Sequence, residues 1–310
     1  MRTMAFFQFL TGDARLAIPE HSRASTLFSL AGAGTICYMK TMDLDFWKMN
    51  GAGNDFVLLD NRQGLLVLSG AQIARLCDRN RGVGADGVLL VEPAAAGADF
   101  RMRYYNADGG EAEMCGNGAR CFARFSQRLL ANERDAISFE TPAGEIHARF
   151  EGENVCLQMS DPHSWREPRS LDLTGQIRQI HFVNTGVPHA VVFVDDLHKV
   201  DVLTEGAAVR YHEAFAPKGT NANFVQVESP GHLAIRTYER GVEGETLACG
   251  TGVVAAALIH AKLHGVSSPV KVRVRGEDTL QVTFRTADAD YREVTLTGPA
   301  DFVFEGRMAI

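Results

Sequence analysis

The fold of this chain is decided by the stretch Met114-Cys115-Gly116-Asn117-Gly118-Ala119-Arg120-Cys121-Phe122-Ala123. A strand-like run at residues 100–105 precedes it, and a helix-like run at residues 119–130 follows its glycines. Glycine leaves the backbone N–H groups of such a turn uncovered, and the first N–H groups of a helix have no partner within the helix. The turn is therefore suited to binding an anion, and a thiol placed in it is biased towards the thiolate.

The same arrangement recurs in the second half of the chain, as Ala248-Cys249-Gly250-Thr251-Gly252-Val253-Val254-Ala255-Ala256-Ala257. The helix predicted after it, at residues 252–263, is apolar nearly all round, so we expect a sheet to wrap it. Two Cys-Gly-x-Gly turns, each opening an apolar helix, indicate one site built from both.

Strands surround both predicted helices and give each half of the chain the same plan. A short additional helix is predicted at residues 72–78. The predicted strands cover residues 45–49, 56–60, 88–91, 100–105, 138–140, 146–150, 155–159, 180–183, 190–194, 224–227, 235–240, 270–274, 280–284, 293–296 and 302–304. The polar, proline-bounded segment 160–168 divides them into an N-terminal domain at residues 43–160 and a C-terminal domain at residues 161–296.

The composition of the chain limits its class and its partners. It is 45% hydrophobic and 22% charged, as in a soluble globular protein. A net charge of −7 without a basic run argues against nucleic acid or an anionic membrane as the main partner. Six cysteines are too few for a disulfide scaffold in 310 residues, and no CxxC pair gives zinc-type spacing, so we expect no metal.

Residues 1–42 differ from the rest of the sequence. Their apolar segment at residues 27–38 is a weak match to a secretory signal and is too short to span a membrane. We expect a non-essential extension, with Met42 as the natural start. No membrane segment follows, so we expect a cytoplasmic enzyme with reduced thiols.

Residues 82–87 spell a literal GxGxxG, which in other proteins marks a dinucleotide site. That motif must follow a strand and open a helix. Here it follows the helix predicted at residues 72–78 and opens a strand. We therefore interpret it as a glycine turn and expect no dinucleotide.

Two thiols at two helix N-termini suit a specific reaction. If the two halves face each other, one cysteine approaches a substrate from each side. Removing a proton from one face of a carbon and returning one to the other face inverts the stereocentre. The pair should hold one thiolate and one thiol, because like charges at close range resist double ionisation.

The helix N-terminus alone does not activate these thiols enough. A thiol has a pKa of about 8.5, and a helix N-terminus lowers it by about 0.2–1.5. Desolvation in a closed cleft raises the pKa of the thiol instead. A nearby residue is therefore needed to tune the thiols, and His189 and Glu239 are the candidates.

The remaining polar candidates suit a substrate that is charged at both ends. An α-carboxylate fits the N–H groups of Gly116-Asn117 or Gly250-Thr251, where charge that develops in the transition state would be stabilised. Arg240 suits a second carboxylate and Glu239 suits an ammonium group. The asparagines at loop mouths are able to contact both kinds of group: Asn54, Asn106 and Asn221.

These motifs resemble those of the diaminopimelate epimerase family over residues 46–310. The matching motifs are Lys48-Met49-Asn50-Gly51-Ala52-Gly53-Asn54-Asp55-Phe56, Asn106-Ala107-Asp108-Gly109, the two cysteine turns, Gly186-Val187-Pro188-His189 and Tyr238-Glu239-Arg240-Gly241. The resemblance implies an α/β (α+β) fold of two pseudo-symmetric domains, each a mixed, mainly antiparallel sheet around a central helix, with the last strand (residues 297–310) returning to the first domain. It also implies cofactor-independent interconversion of LL- and meso-2,6-diaminopimelate, on the route to lysine and peptidoglycan.

The resemblance also assigns roles to residues. The two-base thiols fall on Cys115 and Cys249, and His189 and Glu239 match the residues that tune them. The substrate contacts fall on Asn54, Asn106, Gly116, Asn117, Asn221, Glu239, Arg240, Gly250 and Thr251. The expected partner is the small-molecule substrate, and a homodimer is left open as the assembly.

Two positions depart from the family pattern. Many members have Asn where Val187 stands, and some have Gln where Gly87 stands, so recognition of the distal end of the substrate is left open. Cys121 lies six residues past Cys115 on the same helix and faces elsewhere, so we assign it to packing.

The sequence is compatible with two alternative functions. One is racemisation or isomerisation of another substrate on the same fold, as in proline racemase-like or phenazine-biosynthesis-like enzymes, the latter lacking the cysteine pair. The other is a thiol redox protein, whose working state would be a Cys115–Cys249 disulfide. Redox pairs usually sit close in sequence, which argues against the second alternative.

Overall fold

A computed structural model describes residues 42–131, 134–288 and 290–310. Except for Met42, the extension predicted at residues 1–42 lies outside the described residues. The helices are α1 (Gly70–Cys77), α2 (Gly116–Leu129), α3 (Val202–Arg210) and α4 (Gly250–His264). The strands are β1 (Asp43–Gly51), β2 (Asn54–Asp60), β3 (Gly87–Glu92), β4 (Phe100–Asn106), β5 (Glu111–Ala112), β6 (Ala136–Thr141), β7 (Gly144–Glu151), β8 (Asn154–Gln158), β9 (His163–Leu173), β10 (Gln176–Asn184), β11 (Pro188–Phe193), β12 (Asn221–Ser229), β13 (His232–Glu239), β14 (Gly244–Thr246), β15 (Val270–Arg273), β16 (Thr279–Ala287), β17 (Asp290–Pro299) and β18 (Asp301–Ala309).

The two cysteine-headed helices each pack against several strands of the sheet, as the sequence predicts. Helix α2 packs against β1, β2, β3, β4, β7 and β8, and α4 packs against β10–β13 and β15–β17. The central residues of α4, from Val253 to Leu258, are all fully buried. Each helix therefore fills the core of one half of the sheet.

The same strand pattern surrounds the two helices. In the first half, β2 pairs parallel with β3, and β3 pairs antiparallel with β4. In the second half, β11 pairs parallel with β12, and β12 pairs antiparallel with β13. A short strand then pairs with the last of each set and leads into the helix, β5 before α2 and β14 before α4. Equivalent strand ends thus point at both cysteine turns.

The C-terminal strands connect the two halves. Strand β17 pairs with β16 on one side and with β8 on the other. Strand β18 then pairs antiparallel with β1. The end of the chain therefore returns to the sheet around α2. None of the helices in the described part of the chain is both long enough and apolar enough to span a membrane.

Several elements differ from the sequence predictions. Helix α2 begins at Gly116, three residues earlier than predicted, because the glycines join its first turn. The boundary segment is largely strand: only residues 159–162 separate β8 from β9, and β9 contains Pro168. An exposed outer strand tolerates proline and shows little alternation, which hid it in the sequence. Helix α3 was missed as well; it contains Gly206 and is capped by the side chain of Asp201.

The first turn of α2 lies so close to β1 that Gly51 has no space for a side chain. A Cβ there would lie 2.7 Å from the carbonyl oxygen of Asn117 and 3.0 Å from Sγ of Cys121. We predict that Gly51→Ala destabilises the protein by about 1–3 kcal/mol, because backbone must shift to relieve the overlap. The measurement is urea unfolding. Gly244→Ala is the matched control, since a Cβ there meets nothing within 4 Å, and equal midpoints for the two variants would contradict the prediction.

Candidate active site

The two cysteine turns are joined by one side chain. Asn117, in the first turn of α2, donates from Nδ2 to the carbonyl oxygen of Ala248 over 3.2 Å, and Ala248 immediately precedes Cys249. The same Nδ2 donates to Oδ1 of Asn54 over 2.7 Å. The N-termini of α2 and α4 therefore meet, with Cys115 and Cys249 as their N-cap residues.

Burial and helix N–H groups act on the two thiols in opposite directions. Burial raises the pKa of Cys115, and the N–H groups of Gly118 and Asn117 lower it. Burial also raises the pKa of Cys249, while Thr251 and the N–H of Gly252 lower it. The helix N-termini thus favour the thiolates as expected, but burial outweighs them and both pKa values lie above the ordinary value.

His189 reaches Cys249 through a chain of hydrogen bonds. Nδ2 of Asn223 lies 3.1 Å from Nδ1 of His189, and Nε2 of His189 lies 2.9 Å from Oγ1 of Thr251. The amide of Asn223 is oriented by the carbonyl of Ala190, to which it donates, and by the hydroxyl of Thr237, which donates to Oδ1.

The tautomer of His189 follows from these contacts. Nδ1 accepts from Asn223, so Nε2 carries the hydrogen and donates to Thr251. The Thr251 hydroxyl is then free to donate to Sγ of Cys249, 3.6 Å away. Burial, and secondarily Arg240, lowers the pKa of His189 to about 3, so the ring is neutral at pH 7.

Glu239 ends β13 beside both thiols. Burial raises the pKa of its carboxyl group, and a hydrogen bond of 3.1 Å from the Thr246 hydroxyl opposes that effect. When ionised, Glu239 raises the pKa of Cys115 and of Cys249. A cation placed beside Glu239 would remove this effect, because it would neutralise the carboxylate.

The three predicted asparagines differ in how many of their side-chain amide groups already form hydrogen bonds within the protein. Asn54 donates to Asp86 over 2.8 Å and accepts from Asn117. Asn221 donates to the carbonyl of Pro188 over 3.0 Å and accepts from the backbone N–H of Arg240 over 2.8 Å. Each of these amides keeps one N–H hydrogen for a ligand, whereas Asn106 is exposed at the end of β4.

Two glycines determine how closely groups approach the site. A Cβ at Gly87 would lie 2.5 Å from the carbonyl oxygen of Tyr105 and 2.7 Å from the ring of Tyr104, so no larger side chain fits there. A Cβ at Gly252 would lie 2.3 Å from Oδ1 of Asn223. Glycine at 252 is therefore what lets Asn223 and His189 approach the start of α4.

Sequence reasoning missed several residues that support the site. Asn223 lies on the same face of β12 as Asn221, because one residue separates them and alternate residues of a strand share a face. That spacing could have identified Asn223 as a site residue from the sequence. Cys121 is fully buried in the core around α2, which confirms its assignment to packing. Cys115 and Cys249 are both free thiols. Thr185 supports the start of α4, because its hydroxyl donates to the carbonyl of Thr251 over 2.9 Å. The missed residues are Asp86, Arg120, Thr185, Asn223 and Thr246.

Comparison with known proteins agrees with this geometry. The family model described as diaminopimelate epimerase matches residues 46–165 and 181–303. A diaminopimelate epimerase from Chlorobaculum tepidum is 44% identical over 265 residues, covering 84% of this chain and 100% of the relative. One from Aquifex aeolicus is 43% identical over 280 residues, covering 86% of this chain and 98% of the relative.

Solved structures with low sequence identity share the fold. A phenazine biosynthesis protein of the PhzF family from Bacillus anthracis has a TM-score of 0.63 at 18% identity, covering 88% of this chain and 100% of that chain. A probable proline racemase from Agrobacterium radiobacter has a TM-score of 0.61 at 16% identity, covering 86% of this chain and 93% of that chain. The predicted α/β fold class is thus confirmed. The extent of the family match and the identity to these relatives show that the chain belongs to the diaminopimelate epimerase family.

Proposed function

We propose that this protein is an isomerase that interconverts LL- and meso-2,6-diaminopimelate, using Cys115 and Cys249 as its two acid–base groups. The observation that carries the proposal is the bond from Asn117 to Ala248, which brings the two cysteine-headed helix N-termini together. Membership of the family supports the choice of substrate. Free thiols at both positions are consistent with a cytoplasmic setting, which we propose for the enzyme.

In the proposed reaction, protons pass only between the two thiols and the substrate. The thiolate of one cysteine takes the α-proton, and the electron pair of the C–H bond delocalises into the α-carboxylate. The S–H of the other cysteine then gives a proton to the opposite face of the carbon. The stereocentre is inverted, and the two cysteines have exchanged protonation states.

The helix N-termini have a second role in this proposal. As the α-proton leaves, negative charge grows on the carboxylate of the substrate. Unpaired N–H groups at Gly116-Asn117 or Gly250-Thr251 would stabilise that charge in the transition state. Arg240 and Glu239 are proposed to bind the charged groups of the substrate, together with Asn54, Asn106 and Asn221.

The ammonium group of the substrate would also change the electrostatics of the thiols. Glu239 opposes ionisation of both thiols while it is unpaired. An ammonium group bound to its carboxylate would cancel that effect. The thiolate would then form more readily with substrate bound than without it.

The first test replaces each thiol. We predict that Cys115→Ala and Cys249→Ala each lower kcat for conversion of LL-diaminopimelate by about 10²–10⁴-fold, because each removes one proton-transfer group. Conversion is followed by chromatographic separation of the isomers. Cys77→Ala is the control, since Cys77 is buried on α1 outside the site. Full activity in either site variant would contradict the two-thiol mechanism, and activity only on another amino acid would keep the mechanism and change the substrate.

The second test concerns the pH dependence. Burial raises the pKa of both thiols, so we predict that kcat/KM of the wild type rises with pH from neutral into alkaline solution. Thr251→Val removes the hydroxyl that lowers the pKa of Cys249. One limb of the pH profile of kcat/KM should then shift to higher pH by about 1 unit. Thr283→Val, on β16, is the isosteric control, and a profile unchanged by Thr251→Val would refute the role of the hydroxyl.

We also propose that the protein is a homodimer, joined through β18. One edge of β18 pairs with β1, and its other edge pairs with no strand among the described residues. The strand exposes 37% of Phe302, 57% of Val303 and 48% of Phe304. An unpaired edge with exposed apolar residues favours association, and a second copy is able to pair with it about a two-fold axis.

Sedimentation tests this assembly. We predict that the wild type sediments as a dimer at micromolar concentration and that Val303→Lys sediments as a monomer, because a lysine at the edge opposes pairing. Ile177→Lys is the control, since Ile177 is 69% exposed elsewhere, at the start of β10. A monomeric wild type would contradict the proposal.

A further inference from the structure

The guanidinium group of Arg120 is completely buried and forms no ion pair with any described residue. The side chain is 0% exposed. It donates to the carbonyl of Gly51 over 3.2 Å, to Oδ1 of Asn117 over 2.9 Å and to the carbonyl of Pro299 over 3.1 Å. All three acceptors are uncharged, and Nη1 has no hydrogen-bond partner among the described residues. Burying a cation without an anion is unfavourable, so this charge requires an explanation.

Packing does not explain it. The equivalent position in the second half, five residues after Cys249, is Val254, which is also fully buried. An apolar residue therefore serves at this place in a helix of the same plan. The cation belongs to the Cys115 side of the site alone.

The position of Arg120 links it to both cysteine turns. Arg120 donates to Oδ1 of Asn117, so this oxygen faces the guanidinium. The Nδ2 of the same amide then faces Asn54 and Ala248, to which it donates. The orientation of the amide that joins α2 to α4 is therefore set by Arg120. The two other bonds tie the same guanidinium to the ends of β1 and β17.

The charge of Arg120 acts on three groups that can become anions: Cys115, Cys121 and Asp278. The guanidinium lowers the pKa of Cys115 and also that of Cys121, but burial raises the pKa of Cys121 to about 12, so Cys121 remains a thiol. At Cys249, the groups that lower the pKa are the Thr251 hydroxyl and the N–H of Gly252. The other titratable groups that act on Cys115 or Arg120 are Tyr104, Cys249, Glu239 and Asp278.

We infer that Arg120 is a positioning residue that sets the resting state of the enzyme, with Cys115 as thiolate and Cys249 as thiol. It does so in two ways, by a fixed positive charge beside the Cys115 turn and by holding Asn117 between the two turns. The inference rests on the proposed function, in which Cys115 and Cys249 are the two acid–base groups. The first test below uses the free protein, so it succeeds or fails independently of the substrate, whereas the second test measures turnover.

The test measures the pH dependence of alkylation by iodoacetamide, which reacts with thiolates, and reads Cys115 and Cys249 separately by peptide mass spectrometry. In the wild type, Cys115 should react with a lower pH midpoint than Cys249. In Arg120→Met the Cys115 midpoint should rise by about 1–3 pH units, because the opposite charge is gone. Arg124→Met is the matched control: Arg124 lies one turn further along α2, and the hydrogen bonds that it donates within the described part of the chain go to uncharged groups, on Gln127, Gly152 and Asn154.

Arg120→Lys separates the charge from the positioning. Lysine keeps the charge but lacks the planar fork that holds several acceptors at once. The Cys115 midpoint should therefore stay near the wild-type value, while kcat falls by about tenfold or more, a loss of about 1.4 kcal/mol in transition-state stabilisation.

Three results would overturn the inference. One is a wild type in which Cys249 reacts at lower pH than Cys115, which needs no variant to fold. Another is a folded Arg120→Met protein with the same Cys115 midpoint as Arg124→Met. The third is an Arg120→Lys protein with unchanged kcat, because that result would show that Asn117 is positioned without the planar guanidinium group.

Discussion

The site depends on one contact, the hydrogen bond from the Asn117 amide to the carbonyl of Ala248. It joins the first turn of α2 to the residue that precedes α4. Each helix is held in its own half of the sheet by apolar burial, which has no direction and does not fix the distance between two helix ends. A hydrogen bond has both a length and a direction. This bond therefore sets how the two cysteine turns face each other.

The two thiols are held in similar turns but in different surroundings. Burial raises the pKa of both, and helix N–H groups oppose it at both. The remaining influences differ: a buried cation acts at Cys115, and a neutral chain from His189 through Thr251 acts at Cys249. The proposed two-base reaction needs one thiolate and one thiol at the start. Unequal surroundings would supply that difference, although the two halves share one strand pattern.

Much of the fold and the centre of the site could be predicted from the sequence. The repeated Cys-Gly-x-Gly turn predicted two helices, two similar halves and the approach of the two helix N-termini, because a glycine turn that opens a buried helix is a local signal. The roles assigned to the site residues remain predictions. The exposed strand β9 could not be predicted, since its residues carry little alternation. The partners of Asn117 could not be predicted either, because Ala248 and Asn54 are distant in sequence and only the folded sheet brings them together. The domain boundaries remain a prediction.

The two-thiol mechanism is tested by following solvent deuterium during early turnover. The protein is given LL-diaminopimelate in D₂O, and proton NMR follows the α-hydrogen in remaining substrate and in new product. Two thiols on opposite faces predict that the inverted product carries deuterium while the remaining substrate keeps its proton. Substrate that gains deuterium as fast as product forms would show that one group serves both faces, and would contradict the account.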